Sequence, residues 1–197
     1  WIGGQNWMAE NLRVTKYNSG SSIINETDPD NWASPNNTGY YAWNMDDYSI
    51  GEIYGAIYNH YVTNQNVCPE GWHIPTDNEF KRLELYLGMS ELDVDLEGWR
   101  GTNQGSKMAN VDSLWNDGYL ENDFEFGTSG LNIIPGGYLD PYGYWSSHTI
   151  GSSGNYWSLT EGEPGKAYFR IIINSKKTVS RGQQNKTFGY SIRCIKD

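Results

Sequence analysis

The sequence predicts an α+β domain of short strands, irregular connections and few helices. Three observations carry this expectation. One segment, residues 75–87, has a helical period with signals at both ends, the last third of the chain reads as strands, and the composition favours turns and aromatic packing. With 197 residues the chain fits one large domain, whose core can bury roughly 70% of the unfolded surface. Only 37% of residues are apolar, yet 15% are aromatic, with nine Trp and fifteen Tyr. Much of the apolar surface therefore sits on large rings with polar handles. The 23 Gly and the many Asn, Ser and Asp are turn formers.

The opening, Trp1 to Glu10, reads as a strand broken by Gly3 and Gly4 and followed by an extended run from Leu12 to Tyr17, together forming a sheet edge. Asn18 to Thr38 is polar, contains Pro29 and Pro35, and predicts a surface excursion without periodic structure. Tyr40, Tyr41, Trp43, Tyr54, Tyr58 and Tyr61 then supply rings for a core beneath loops. At Thr76 a cap is followed three residues later by Glu79, with Pro75 fixing the entry, and Phe80, Leu83 and Leu87 continue at helical spacing to a left-handed stop at Gly88. This predicts the longest helix, Thr76 to Leu87. A second, shorter helix is expected from a Ser90 cap to Gly98. Strands are expected over Tyr142–Ser147, Asn155–Leu159, Ala167–Ile173, Thr178–Gly182 and Phe188–Ile195, with residues 174–177 as a hairpin turn.

The net charge of −10 and the lack of any basic cluster exclude a phosphate-neutralising surface, so nucleic acid is not an expected partner. No apolar run approaches the ~20 residues that span a bilayer, so no transmembrane segment is expected. Cys68 and Cys194 admit two readings, a disulfide worth roughly 2–5 kcal/mol or a pair of buried thiols. The composition suits an exported protein, which favours the disulfide. Two cysteines cannot build a thiolate zinc site or a CxxC redox motif.

Segments spread along the chain carry a family resemblance. They are Gly4-Gln-Asn-Trp-Met-Ala-Glu-Asn-Leu12, Tyr54-Gly-Ala-Ile-Tyr-Asn59, Cys68-Pro-Glu-Gly-Trp-His-Ile-Pro-Thr76, Gly98-Trp-Arg-Gly101, Pro135-Gly-Gly-Tyr138, Tyr144-Trp-Ser-Ser147 and Phe188-Gly-Tyr-Ser-Ile-Arg-Cys194. In order and spacing these resemble the Fibrobacter succinogenes major paralogous domain of bacterial surface proteins. The resemblance implies one domain over residues 1–197, read as lacking the further strand with which the family usually begins. It also implies a C-type-lectin-like fold, two short helices flanking twisted antiparallel strands with long loops. Cys68 and Cys194 match the family's structural pair. The Pro-Thr helix start and the Pro-Gly-Gly-Tyr turn are similar to formylglycine-generating enzymes and to the variable proteins of diversity-generating retroelements, but the reactive cysteine pair of the former is missing.

Trp115-Asn116-Asp117 matches the triplet with which calcium-dependent lectins hold calcium and sugar, yet it precedes the Pro135 turn and lacks the partner loop, so a surface turn is expected. Asp93, Asp95, Glu97 and Gly98 imitate the start of an EF-hand loop, but Gln104 stands where its bidentate Glu belongs, and a solvated acidic face is expected instead. His60, His73 and His148 show no zinc spacing, and no Gly-x-Ser-x-Gly elbow occurs. The expectation is a non-catalytic binding module without a cofactor, secreted or on the outer cell surface, with lipid anchoring lying outside this chain. Its partner would be a glycan or a protein. The alternative is a structural spacer in a surface assembly. Ligand contact is expected on the late β region, at Trp145, Trp157, Tyr168, Arg170 and Arg181, with carboxylates across the sheet as the competing partners of the two arginines.

Overall fold

Gly3 and Gly4 adopt left-handed φ of +57° and +80°, so the opening segment turns on itself through paired hydrogen bonds between Ile2 and Gln5. It then runs beside the end of the chain: Met8 N–H donates to the Cys194 carbonyl and Leu12 N–H to that of Ile192, and Trp7 bridges Ile195. The two segments pair without forming the regular edge strand expected from Trp1 to Glu10. The computed structural model describes residues 1–141 and 149–197. The expected strand Tyr142–Ser147 lies outside them.

Strand β1 (Ile24–Asn25) and helix α1 (Pro29–Ala33) lie within the polar stretch, so it is not wholly irregular. Asp28 caps α1 by accepting from Asp30 N–H at 2.9 Å, and Pro29 needs no amide partner at the first position. Next come β2 (Tyr40–Trp43), α2 (Tyr48–Tyr54), β3 (Ala56–Asn59) and β4 (Trp72–His73). Helix α3 (Asp77–Tyr86) starts on the expected capping box, with Thr76 and Glu79 bonding each other's backbone amides, and it stops before Gly88 at φ +94°. It is the longest helix among the described residues. The second expected helix does not form. Ser90 caps Asp93 N–H at 3.1 Å, but the chain continues only as turns, because Leu92 and Leu96 face solvent and leave Val94 as the buried anchor. Strand β5 (Gly98–Arg100) and helix α4 (Gln104–Met108) follow, and then the long strands β6 (Ser153–Glu161), β7 (Lys166–Ile173) and β8 (Val179–Asn185). The last expected strand divides into β9 (Gly189–Tyr190) and β10 (Ile195–Lys196).

The strands form three sheets in the orders β1-β2-β3-β9, β10-β4 and β5-β8-β7-β6, antiparallel except for β1 against β2. Strand alternation makes β6 a shared wall. Tyr156 joins the cluster that receives Phe80 and Leu83 of α3 and the capping Leu87, while Trp157 joins the cluster of Tyr58, Tyr190 and Ile192. The disulfide Cys68–Cys194 lies in the second cluster and closes a loop of 126 residues.

Candidate functional site

The side chains expected to form the ligand surface take different places. Trp157 is wholly buried: its indole N–H donates to the Tyr58 carbonyl at 2.9 Å and its ring packs 4.5 Å from that of Tyr190. Arg170 and Arg181 are also interior, meeting the face of α3 that carries Asp77 and Glu84 two turns apart. Arg170 donates to Glu84 at 2.6 Å and to Asp77 at 2.8 Å, while Arg181 grips Asp77 through Nε and Nη2 at 2.9 and 2.8 Å. Arg100 reaches Glu84 at 2.7 Å. Burial works against the Asp77 charge, but hydrogen bonds and attraction from Arg181 and Arg170 outweigh it and hold its pKa well below the carboxylate range. Carboxylates thus occupy both arginines, but they come from α3 rather than from across the sheet. Tyr168 is half-buried, its ring 4.5 Å from the Arg181 guanidinium and its hydroxyl accepting from Gln183 at 3.3 Å. Trp145 lies outside the described residues.

The other chemical candidates are engaged locally. In the acidic segment, Asp93 accepts from Ser90 Oγ at 2.7 Å, Asp95 pairs with Lys81 at 2.7 Å and Glu97 accepts from Gln183 at 3.2 Å. Trp115 is buried while Asn116 and Asp117 are exposed between a 3-10 turn and the next bends. His60 sits in the core with Nε2 2.9 Å from the Ser158 carbonyl, and burial pulls its pKa down to about 4. His73 lies between Asp197 at 2.6 Å and Glu79 at 3.0 Å. Burial disfavours its charge, but these two carboxylates prevail and raise its pKa. His148 lies outside the described residues.

A cleft of about 210 Å³ opens where four distant parts of the chain meet: residues 9–13, the end of α2 at Ile53 and Gly55, residues 111–114 with Asn132 and Ile134, and Arg193. Gly55 is required there. At φ +82° an added Cβ would stand 2.7 Å from Asn11 Cβ and 2.9 Å from the Leu12 carbonyl. That close approach seats Asn11, whose Nδ2 donates to the Tyr54 carbonyl at 2.8 Å. Its Oδ1 accepts from Tyr156 Oη at 2.9 Å and from Arg193 Nη2 and Nε at 2.6 and 3.2 Å. Arg193 also donates to the Leu131 carbonyl and lies 5.6 Å from the Tyr156 ring centroid. Val111, on the wall, adopts φ +61°, a strained conformation for a β-branched residue. This site was missed in the sequence, although Asn11, Gly55 and Arg193 all fall within segments that carry the family resemblance.

Comparison with curated proteins gives no match, and comparison with solved structures gives none. The model of one family does match, over residues 1–196, nearly the full length whose scattered motifs converge in the fold just described. The chain therefore belongs to the Fibrobacter succinogenes major domain family.

Proposed function

We propose that this domain is a non-catalytic binding module of the bacterial cell surface, with a C-type-lectin-like architecture, and that it receives its ligand in the cleft above Arg193. The observation that carries the reading is the cleft itself, a concave site in which a buried guanidinium faces an aliphatic wall on a scaffold fixed by buried ion pairs. The disulfide supports an oxidising, extracellular setting, and among the described residues no helix is long and apolar enough to cross a membrane. The pairing of the first and last segments, with α3 laid across the long sheet, supports the lectin-like reading of the fold.

The balance of surfaces favours a protein or peptide ligand. Trp157 and Tyr156 are interior, and among the described residues no ring lines the cleft. A glycan reading rests instead on a wider groove of about 370 Å³, where the exposed rings of Trp1 and Tyr86 stand near the Lys107–Glu125 pair. Stacking on such rings beside polar groups is the usual chemistry of sugar recognition. Immobilised domain should be probed on a glycan array and on a peptide array with free C-termini, using the intact disulfide-bonded chain. Selective capture of peptides supports the reading, selective capture of glycans with loss on Tyr86→Ala moves the site to the groove, and no capture on either array favours a structural spacer.

A further inference from the structure

Four arginines of this chain are buried, and three have carboxylate partners. Arg100 lies 2.7 Å from Glu84, Arg170 lies 2.6 Å from Glu84 and 2.8 Å from Asp77, and Arg181 lies 2.8 Å from Asp77. Arg193 is as deeply buried, at 2% exposure, yet among the described residues its acceptors are neutral: the Asn11 amide oxygen and the Leu131 carbonyl. A guanidinium has five N–H groups and stays protonated at any ordinary pH. Three hydrogen bonds therefore leave two N–H groups to serve, and the side chain borders an open cleft. Glu10 on the rim attracts Arg193 through space but makes no bond to it, and a buried charge with no bonded countercharge is costly, by several kcal/mol, unless a ligand or its own dipoles compensate it.

Resting on the binding-module reading, we propose that the cleft captures the C-terminal carboxylate of a peptide, with Arg193 as the recognising cation. Size, walls and rim all fit this occupant. At about 210 Å³ the cleft is smaller than the roughly 300–1,000 Å³ pockets of drug-sized ligands, so it admits a single terminal residue. Ile53 and Val111 present exposed aliphatic surface at 56% and 40%, and with Leu114 they form a wall for the last side chain. The rim carries Glu10, paired with Arg13 at 2.7 Å, and Glu52, whose own carbonyl accepts from Arg13 at 3.1 Å. Two rim carboxylates oppose a multiply charged anion such as phosphate. A peptide brings one terminal charge to the floor and offers backbone N–H donors to the rim, so it meets less of that repulsion.

The test uses N-acetylated tripeptides ending in Val, as the free acid and as the amide, titrated into the disulfide-bonded domain by calorimetry and by amide chemical-shift mapping. The free acid should bind with shifts at residues 9–13, 111–114 and 193, and amidation should weaken it at least tenfold. Arg193→Gln should abolish binding. Because that variant alters the core, Ile53→Asp on the exposed wall is the second arm: it should retain the wild-type melting temperature and weaken the free acid at least tenfold. Equal binding of acid and amide, tighter binding of glucuronate than of the peptide, or equal competition by inorganic phosphate would overturn the assignment. If ligands captured on the arrays bind Ile53→Asp unchanged, this inference fails while the binding-module reading stands. If neither the tripeptides nor the arrays give any capture, both fail.

Discussion

His60 and His73 respond to pH in opposite senses, for reasons visible in their surroundings. His60 is buried as a neutral ring against Ser158, so its pKa falls to about 4, whereas an unfolded histidine titrates near 6.5. Between those values the unfolded chain takes up a proton that the folded one refuses. Stability from His60 is therefore complete above pH 6.5 and is lost as pH falls towards 4, by about 3 kcal/mol in all. His73 has a raised pKa between Asp197 and Glu79, so its contribution is present below the ordinary imidazole value and is lost as pH rises through the folded one. The two are separated by comparing wild type with His60→Gln in urea denaturation from pH 7.5 to 4.5. The stability difference should shrink steadily towards acid, and a constant difference would contradict a neutral, buried His60.

Helix α3 shows how unequal two polar features of one element are. Its capping box satisfies amides at an edge that water also reaches, so Thr76→Ala should cost about 1 kcal/mol. Glu84, on the same helix, is wholly buried between Arg100 and Arg170. Glu84→Gln strips interior Arg100 of its carboxylate and leaves Arg170 with Asp77 alone, and should cost about 3–5 kcal/mol. Urea midpoints of the two variants check the ranking, and a Thr76→Ala loss equal to that of Glu84→Gln would refute it. The helix start was legible in the sequence because a capping box is local, four residues in a row. The ion network was not, since Asp77 and Arg181 meet only when β8 lies beneath α3. A local signal at Asp28-Pro29 was present but overlooked, and it begins α1, which carries Trp32 into the core with its indole N–H on the Thr187 carbonyl at 2.7 Å.

At the scale of the whole molecule, the disulfide ties the segment before α3 to the last residues of the chain. Closing a loop of 126 residues restricts the unfolded ensemble by about 5 kcal/mol in chain-entropy accounting. Reduction should lower the melting temperature sharply, and alkylation of the native protein without reductant should label neither cysteine. Labelling of native Cys68 or Cys194 would show that the bond is not formed in the native protein. Arg193, which lines the cleft, stands next to Cys194, so reduction should also loosen the cleft.

The sequence by itself determined the elements whose signals are local: α3 from its cap, stripe and glycine stop, and the β6, β7 and β8 strands from their extended runs and the turn between the last two. It also determined the family, because seven motifs in order are a one-dimensional pattern. The side of each strand that faces inward was left to the tertiary structure. Trp157 and Arg170 look like recognition residues in a strand read alone, and they become core and ion-pair residues only when α3 and the β2-β3 sheet cover opposite faces of β6 and β7. The cleft had no local signal at all. Asn11 and Arg193 are 182 residues apart, and neither residue type marks a site until the fold sets the amide oxygen 2.6 Å from the guanidinium. Charge, burial and cavity are properties of three-dimensional neighbourhood, and in this chain the neighbours come from its two ends.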